Sequence, residues 1–191
     1  MSAGPVLDPD LPLAASPRAR YRPCCAVVVC RADGHTLSAR RAGTRSRAWQ
    51  YPQGGIQPGE TPRAACLREL REETGLSPRQ VEAVAHAPRW LAYDIPAALR
   101  GATADADKRG NKGQIQAWFL LRLTDPGVDL AALLARAPDR EFEELRWRRP
   151  ADALARIVEF KRPVYAAALA AFAAGPMAAS PCWRRLASGP A

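Results

Sequence analysis

Lysine is nearly absent from this chain. Its 191 residues hold three lysines, so the formal charge of +9 is carried almost wholly by arginine. No apolar run approaches the ~18–20 residues that a membrane-spanning helix requires, which excludes a helical membrane protein. The first twenty residues carry Asp8 and Asp10, no basic start and no continuous apolar stretch, so they do not read as a secretory signal. The five cysteines, Cys24, Cys25, Cys30, Cys66 and Cys182, are odd in number, lack C-x-x-C spacing and have no histidine cluster beside them. Structural zinc and a disulfide framework are therefore not expected, and reduced thiols in a cytoplasmic protein are. No internal repeat is visible.

What is present is an ordinary globular composition, 48% hydrophobic and 25% charged, over a length suited to one domain. The positive excess stays at about +7 when residues 1–20 and 174–191 are set aside. A basic body suits an anionic ligand such as a polyphosphate or RNA. Those two end segments are dense in Pro and Ala without periodicity and are expected to be flexible tails around a folded unit at 21–173. Residues 24–30 form a nearly continuous apolar run typical of a doubly buried strand, followed by a turn at 32–35 and a second strand at 36–41. A brief strand at 49–51 precedes a Gln53-Gly54-Gly55 loop. A helix is expected from Thr61, with Pro62 in its first turn, to Gly75. Further strands are expected at 81–87, 89–94, 116–123 and 145–148, helices at 129–137 and 162–174, and a polar loop at 97–112. Mixed strands with interleaved helices imply an α/β fold, an α/β/α sandwich on a mixed sheet.

The chemistry concentrates on the 61–75 helix. At 3.6 residues per turn Glu69, Glu72 and Glu73 share a face, while Leu67, Leu70 and Thr74 occupy another arc. Arg68 stands four residues before Glu72 and can pin it. Glu60 lies just before the helix and can fold back. Three glutamates alone describe many solvated helix faces. The Gly-Gly loop before them, the preceding carboxylate and the terminal glycine add a context suited to a hard divalent cation, Mg²⁺ or Mn²⁺, held with substrate phosphates.

The stretch resembles the Nudix box, G-x5-E-x7-R-E-U-x-E-E-x-G-U with U aliphatic. Gly54, Glu60, Arg68, Glu69, Leu70, Glu72, Glu73, Gly75 and Leu76 match every defined position. The resemblance implies a Nudix fold and metal-dependent hydrolysis of phosphoanhydride bonds. It also implies that Glu69, Glu72 and Glu73 ligate the metal, that Arg68 orients them, and that a main-chain carbonyl around Gln53 is a further ligand. Flanking segments, among them Tyr21-Arg22-Pro23, Ala39-Arg40-Arg41, Trp49–Ile56 and Phe160-Lys161-Arg162, are similar to the bacterial RNA pyrophosphohydrolase and diadenosine polyphosphate hydrolase branch across about residues 21–173. That likeness assigns Glu141 to the metal site and to water activation, ahead of its neighbours Glu143 and Glu144. It assigns Arg41 and Lys161 to phosphate, Phe160 to a stacked base and Arg22 to RNA. Cys24 and Ala117 stand where the branch usually has Asn and Lys, and the loop at 101–112 is unlike the usual one.

The implied reaction is conversion of 5′-triphosphate RNA ends to 5′-monophosphate, placing the enzyme in RNA 5′-end processing and mRNA decay. The alternative within enzymes is hydrolysis of diadenosine tetraphosphate to ATP and AMP. The alternative from another class is a non-catalytic RNA-binding Nudix module. DNA and membrane are not expected partners.

Overall fold

The computed structural model describes residues 4–43, 48–100 and 110–187. Its centre is an apolar strand, β1 (Tyr21–Cys30), paired in parallel with β7 (Gly113–Leu123) over ten residues from Tyr21↔Gly113 to Cys30↔Arg122. Every other pairing in the eight-stranded sheet is antiparallel, so the sheet is mixed. β2 (Thr36–Arg41) joins β1 and carries β3 (Trp49–Gln50) and β8 (Phe142–Arg148). β5 (Val81–His86) and β6 (Leu91–Asp94) both pair with β7.

Alternation along the central strands builds two cores. Cys25, Val27 and Val29 of β1 and Ile115, Ala117 and Phe119 of β7 face α1 (Pro62–Thr74) and α2 (Leu130–Arg136). Ala26, Val28, Trp118 and Leu120 face α3 (Pro150–Ala155) and α4 (Arg162–Ala174). The result is the expected α/β/α sandwich. All five cysteines are free thiols, four of them buried. No helix among the described residues is long and apolar enough to cross a membrane.

Local chemistry explains α1. Thr61 caps it by accepting the Ala64 N–H at 3.1 Å, Pro62 opens it, and Gly75 ends it in the left-handed conformation at φ +76. Leu70 and Thr74 are fully buried against the sheet, and Leu67 is partly buried.

Three expectations need correction. Gln53–Gly55, expected as a loop, is a strand, β4, paired with β1 through Cys24↔Gly55, Cys25↔Gly54 and Ala26↔Gln53. Glycine carries little strand preference of its own, so only the partner strand decides this conformation. α3 was not expected, because six residues with no side-chain cap show little periodicity. The third concerns both ends.

Residues 4–20 are laid against the body. Leu7 is buried, with its N–H on Pro88 O and the Trp90 N–H on Pro5 O, both at 3.0 Å. Further along, Arg63 N–H reaches Pro9 O at 3.0 Å, Leu13 N–H reaches Glu60 O at 3.1 Å and Gly59 N–H reaches Leu13 O at 3.2 Å. At the other end, Trp183 is completely buried beside α4, its indole N–H on Gly34 O at 2.9 Å, and a short helix α5 (Arg184–Ala187) follows. Low-complexity composition misleads here because a few apolar anchors, Leu7 and Trp183, and backbone hydrogen bonds hold each segment down. Of the polar loop expected at 97–112, residues 101–109 lie outside the described residues. Ala97–Leu99 is one 3-10 turn, and Lys112 is tied to Ile95 and Arg20.

Candidate active site

Arg68 organises the carboxylates of α1. Its Nη1 donates to Glu69 Oε1 at 2.7 Å and to Glu72 Oε2 at 2.9 Å. Its Nε and Nη2 each hold one oxygen of Glu60 at 2.9 Å, and Nη2 also donates to Gly55 O at 2.8 Å. Helical spacing puts Arg68 and Glu72 one turn apart, while the loop before the cap folds Glu60 back onto the same guanidinium. The hydrogen bonds it donates to Glu60, against the cost of burial and with help from Glu69 and Glu72, hold Arg68 firmly protonated. Burial pushes Glu60 up, but the bonds from Arg68 and the Gln57 N–H outweigh it and keep its carboxyl below the usual range. Glu69 goes the other way: burial raises it despite Arg68, and Glu72 adds to the rise.

Glu73 shares the helix face but is turned inward, only 1% exposed, accepting the Gln53 N–H at 2.9 Å. Gln53 is gripped a second time through its side chain, which accepts from Gln116 at 2.8 Å and from the Tyr165 hydroxyl at 3.2 Å. The strand position of the expected carbonyl ligand is thus clamped from both layers. That buried network, with Gln114 accepting from Tyr93 at 2.8 Å, was not legible in the sequence. The alternating Gln114-x-Gln116 on one strand face was its only signal.

The two glycines of β4 serve side chains of this protein. A Cβ on Gly54 would collide with the Glu69 carboxylate, and one on Gly55 with the Arg22 guanidinium. Gly54→Ala is therefore expected to displace Glu69 while leaving the fold intact. A misplacement on the order of 1 Å at a reacting centre costs ~10²-fold, so kcat should fall by about that factor with little change in Tm. Turnover near the wild-type value in the variant would show that Glu69's seat on Gly54 does not matter.

Glu141 lies just ahead of β8, beside the Asp139 N–H bonded to Glu72 O at 3.0 Å, which ties its loop to α1. Its carboxylate meets Arg41 Nη1 at 3.1 Å and Gln50 Nε2 at 3.5 Å. Glu143 and Glu144 instead engage Arg40, at 2.7 and 2.8 Å. The structure thus separates the three acidic neighbours and brings Glu141 together with Arg41. Phe160 is partly buried against Tyr93, ring centroids 5.8 Å apart, and Lys161 is nearly buried with its ammonium 5.7 Å from the same ring. Tyr93 and Trp118 are buried packing residues. Cys24 and Ala117 are buried as well.

Among the described residues no three His, Cys, Asp or Glu side chains are gathered into a metal cage. The donor chemistry nevertheless suits a hard cation. Glu69 and Glu72 offer oxygens that converge on one Arg68 nitrogen, and Mg²⁺-type sites use one or two carboxylates completed by water and phosphate. Beside them a cleft of about 680 Å³ is lined by Arg22, Gly55 and Glu69 together with Leu13–Ser16.

A family model for the NUDIX domain matches residues 20–168. The chain belongs to the Nudix family. It is 42% identical over 159 residues to an RNA pyrophosphohydrolase of Roseobacter denitrificans, covering 82% of this chain and 94% of that one. It is 40% identical over 154 residues to an RNA pyrophosphohydrolase of Erythrobacter litoralis, covering 80% and 91%. Among solved structures, the Nudix fold is shared with an Ap4A hydrolase of C. elegans (TM-score 0.54, 18% identity, 87% of this chain and 96% of that one). It is shared also with the dihydroneopterin triphosphate pyrophosphohydrolase of E. coli (TM-score 0.57, 21% identity, 76% and 94%). Nudix hydrolases use divalent cations. Residues 4–19, including the Leu13–Ser16 side of the cleft, lie outside the matched Nudix region.

Proposed function

We propose that this Nudix hydrolase removes pyrophosphate from the 5′-triphosphate end of RNA, leaving a 5′-monophosphate. The observation that carries this reading is the convergence of Glu69 and Glu72 on Arg68, with the loop before Glu141 tied to α1 by the Asp139 N–H on Glu72 O, in a chain so similar to RNA pyrophosphohydrolases. Glu69, Glu72, Glu73 and Glu141, with the Gln53 main-chain carbonyl, would hold Mg²⁺ or a related cation. When bound, such a cation neutralises charge on the phosphates and lowers the pKa of a water in the site.

The chain's own groups do the rest. Arg41, Lys161 and Arg22 supply cationic contacts for phosphate, where guanidinium pairs well with its oxygens. Phe160 offers a ring face to a splayed base. Arg68 orients Glu69 and Glu72, and Glu141 or Glu72 takes the proton of the attacking water. The water oxygen forms a bond to phosphorus as a P–O–P bond breaks, and pyrophosphate, or two phosphates in succession, departs. Release of 5′-monophosphate RNA would place the protein in cytoplasmic RNA 5′-end processing and mRNA decay.

One observation favours a second reading, hydrolysis of diadenosine tetraphosphate to ATP and AMP: the cleft beside Glu69 has room beyond what a terminal phosphate needs. A silent RNA-binding module is disfavoured because every box position is present. The deciding measurement compares kcat/KM in Mg²⁺ on 5′-triphosphorylated RNA, 5′-diphosphorylated RNA and diadenosine tetraphosphate. An RNA end is expected to be the better substrate. No release from any RNA end, with brisk dinucleotide cleavage, would reverse the order.

A further inference from the structure

We propose that residues 9–13 are positioning residues of the carboxylate site: they hold the start of α1 and the Glu60 loop, and through Glu60 they keep Arg68 in place. The proposal rests on the reading of Arg68, Glu69 and Glu72 as the place where the phosphoanhydride is cut.

The need arises at the helix start. The first turn of a helix leaves backbone N–H groups without partners inside it. In α1 Pro62 has no N–H to satisfy, and the Ala64 N–H goes to the Thr61 hydroxyl. The Arg63 N–H is taken from outside the helix, by Pro9 O at 3.0 Å. One residue on, the Asp10 carboxylate meets the Arg63 side chain through both oxygens, Nε at 2.6 Å and Nη2 at 3.2 Å. Such a fork fixes direction as well as distance.

The next contact reaches the loop. Leu13 N–H donates to Glu60 O at 3.1 Å, and Gly59 N–H donates to Leu13 O at 3.2 Å. The loop is a tight turn in which Glu60 N–H reaches Gln57 O and Gln57 N–H reaches the Glu60 carboxylate, both at 3.0 Å. Gln57, Pro58 and Gly59 are exposed, and Gly59 stands at φ +78. A glycine-bearing surface turn loses much conformational freedom when it is fixed, so bracing from a second segment matters there. Leu13 braces the backbone of the very residue whose two carboxylate oxygens hold Arg68. Arg68 in turn holds Glu69 and Glu72.

The brace has its own footing, because Leu7 is buried and Val6 is bridged to Arg89 upstream of it. Residues 9–13 lie outside the matched Nudix region. The support is therefore added to the family's helix by a segment that the family's pattern does not include.

The test loosens the brace at two separate points in the full chain. Leu13→Pro deletes the N–H on Glu60 O, and Asp10→Lys sets a cation against Arg63; Asp10 does not line the cleft beside Glu69. Arg89→Ala is the control, since it cuts only the 3.1 Å bond to Gly4 O at the far end of the segment. Each is assayed in Mg²⁺ on 5′-triphosphorylated RNA and on diadenosine tetraphosphate, with Tm recorded. Solvent exchange of the Arg68 Nε–H is followed by NMR in the absence of substrate. A full misplacement of about 1 Å costs ~10²-fold, so a slackened Arg68 should lower kcat by about tenfold in Leu13→Pro and about fivefold in Asp10→Lys. KM should stay within about twofold, as expected when the loss falls on the transition state. Arg68 Nε–H exchange should quicken in both variants. Asp10→Lys combined with Arg63→Glu restores an ion pair and should bring kcat and exchange back to within about twofold of wild type, and Arg89→Ala should change neither. Unchanged kcat in both variants, a fall in kcat with unchanged Arg68 exchange, no rescue by Arg63→Glu, or an equal loss in Arg89→Ala would overturn the positioning role. Wild-type enzyme that cuts the dinucleotide and no RNA would refute the RNA reading alone, and the variants would still report on the brace through dinucleotide turnover and Arg68 exchange.

Discussion

Glu72→Gln is expected to lower kcat by about 10³-fold, within the ~10²–10⁴-fold range for removing a positioned acid–base group. Glutamine keeps the shape of the side chain and an oxygen that can still accept from Arg68 Nη1, so the 2.9 Å contact has a neutral replacement. What disappears is the negative charge that would hold a cation and the basic oxygen that would take a proton. Glu72 is the most exposed of the acids bound to Arg68, at 36% of its side-chain surface, so the fold should not suffer. Tm should stay within a few degrees. Glu143→Gln is the matched control, since Glu143 lies on β8 and engages Arg40, not Arg41. Its kcat should be unchanged. Near-normal turnover in Glu72→Gln, or an equal loss in Glu143→Gln, would sink the assignment of the carboxylate site.

Trp183→Ala should produce the largest loss of stability. The indole is fully buried among residues of the second core, and truncation of buried aromatic residues costs about 3–5 kcal/mol. For a chain of this size that corresponds to a Tm lower by roughly 6–20 °C. Trp183→Phe should retain most of the packing and lose the hydrogen bond to Gly34 O, a change of about 1 kcal/mol. Thermal melts of the two variants separate cavity formation from the lost bond. A Tm within about 2 °C of wild type for Trp183→Ala would mean that residues 175–187 are a tail after all.

The site was legible in proportion to how local its grammar is. Thr61, Pro62 and Gly75 bound a helix through interactions within a few residues, and the i, i+3, i+4 spacing of Glu69, Glu72 and Glu73 follows from helical geometry. The pin from Arg68 to Glu72 is one turn long. These features could be read in order along the chain, and α1 runs where they place it. The nearly continuous apolar run at 24–30 likewise announced a strand buried on both faces, and β1 contains it.

What the tertiary structure alone decided depends on residues far apart in the chain. Gly54-Gly55 is a strand only because β1 pairs with it, and its glycines matter because Glu69 and Arg22 arrive from elsewhere. Glu141 is distinguished from Glu143 and Glu144 by which arginine of β2 each one meets. Glu73 faces Gln53 instead of standing beside Glu69 on the Arg68 guanidinium, because Gln53 offers it a backbone N–H. Most of all, composition labelled both ends as tails, yet Leu7 and Trp183 bury themselves and the N-terminal segment becomes a wall of the cleft. The amino-acid sequence by itself determined a Nudix carboxylate helix on a mixed sheet, because helix caps, periodicity and motif spacing act over a few residues. The shape of the cavity beside that helix was decided only when distant segments closed around it, since a cavity is made by surfaces that no local pattern encodes.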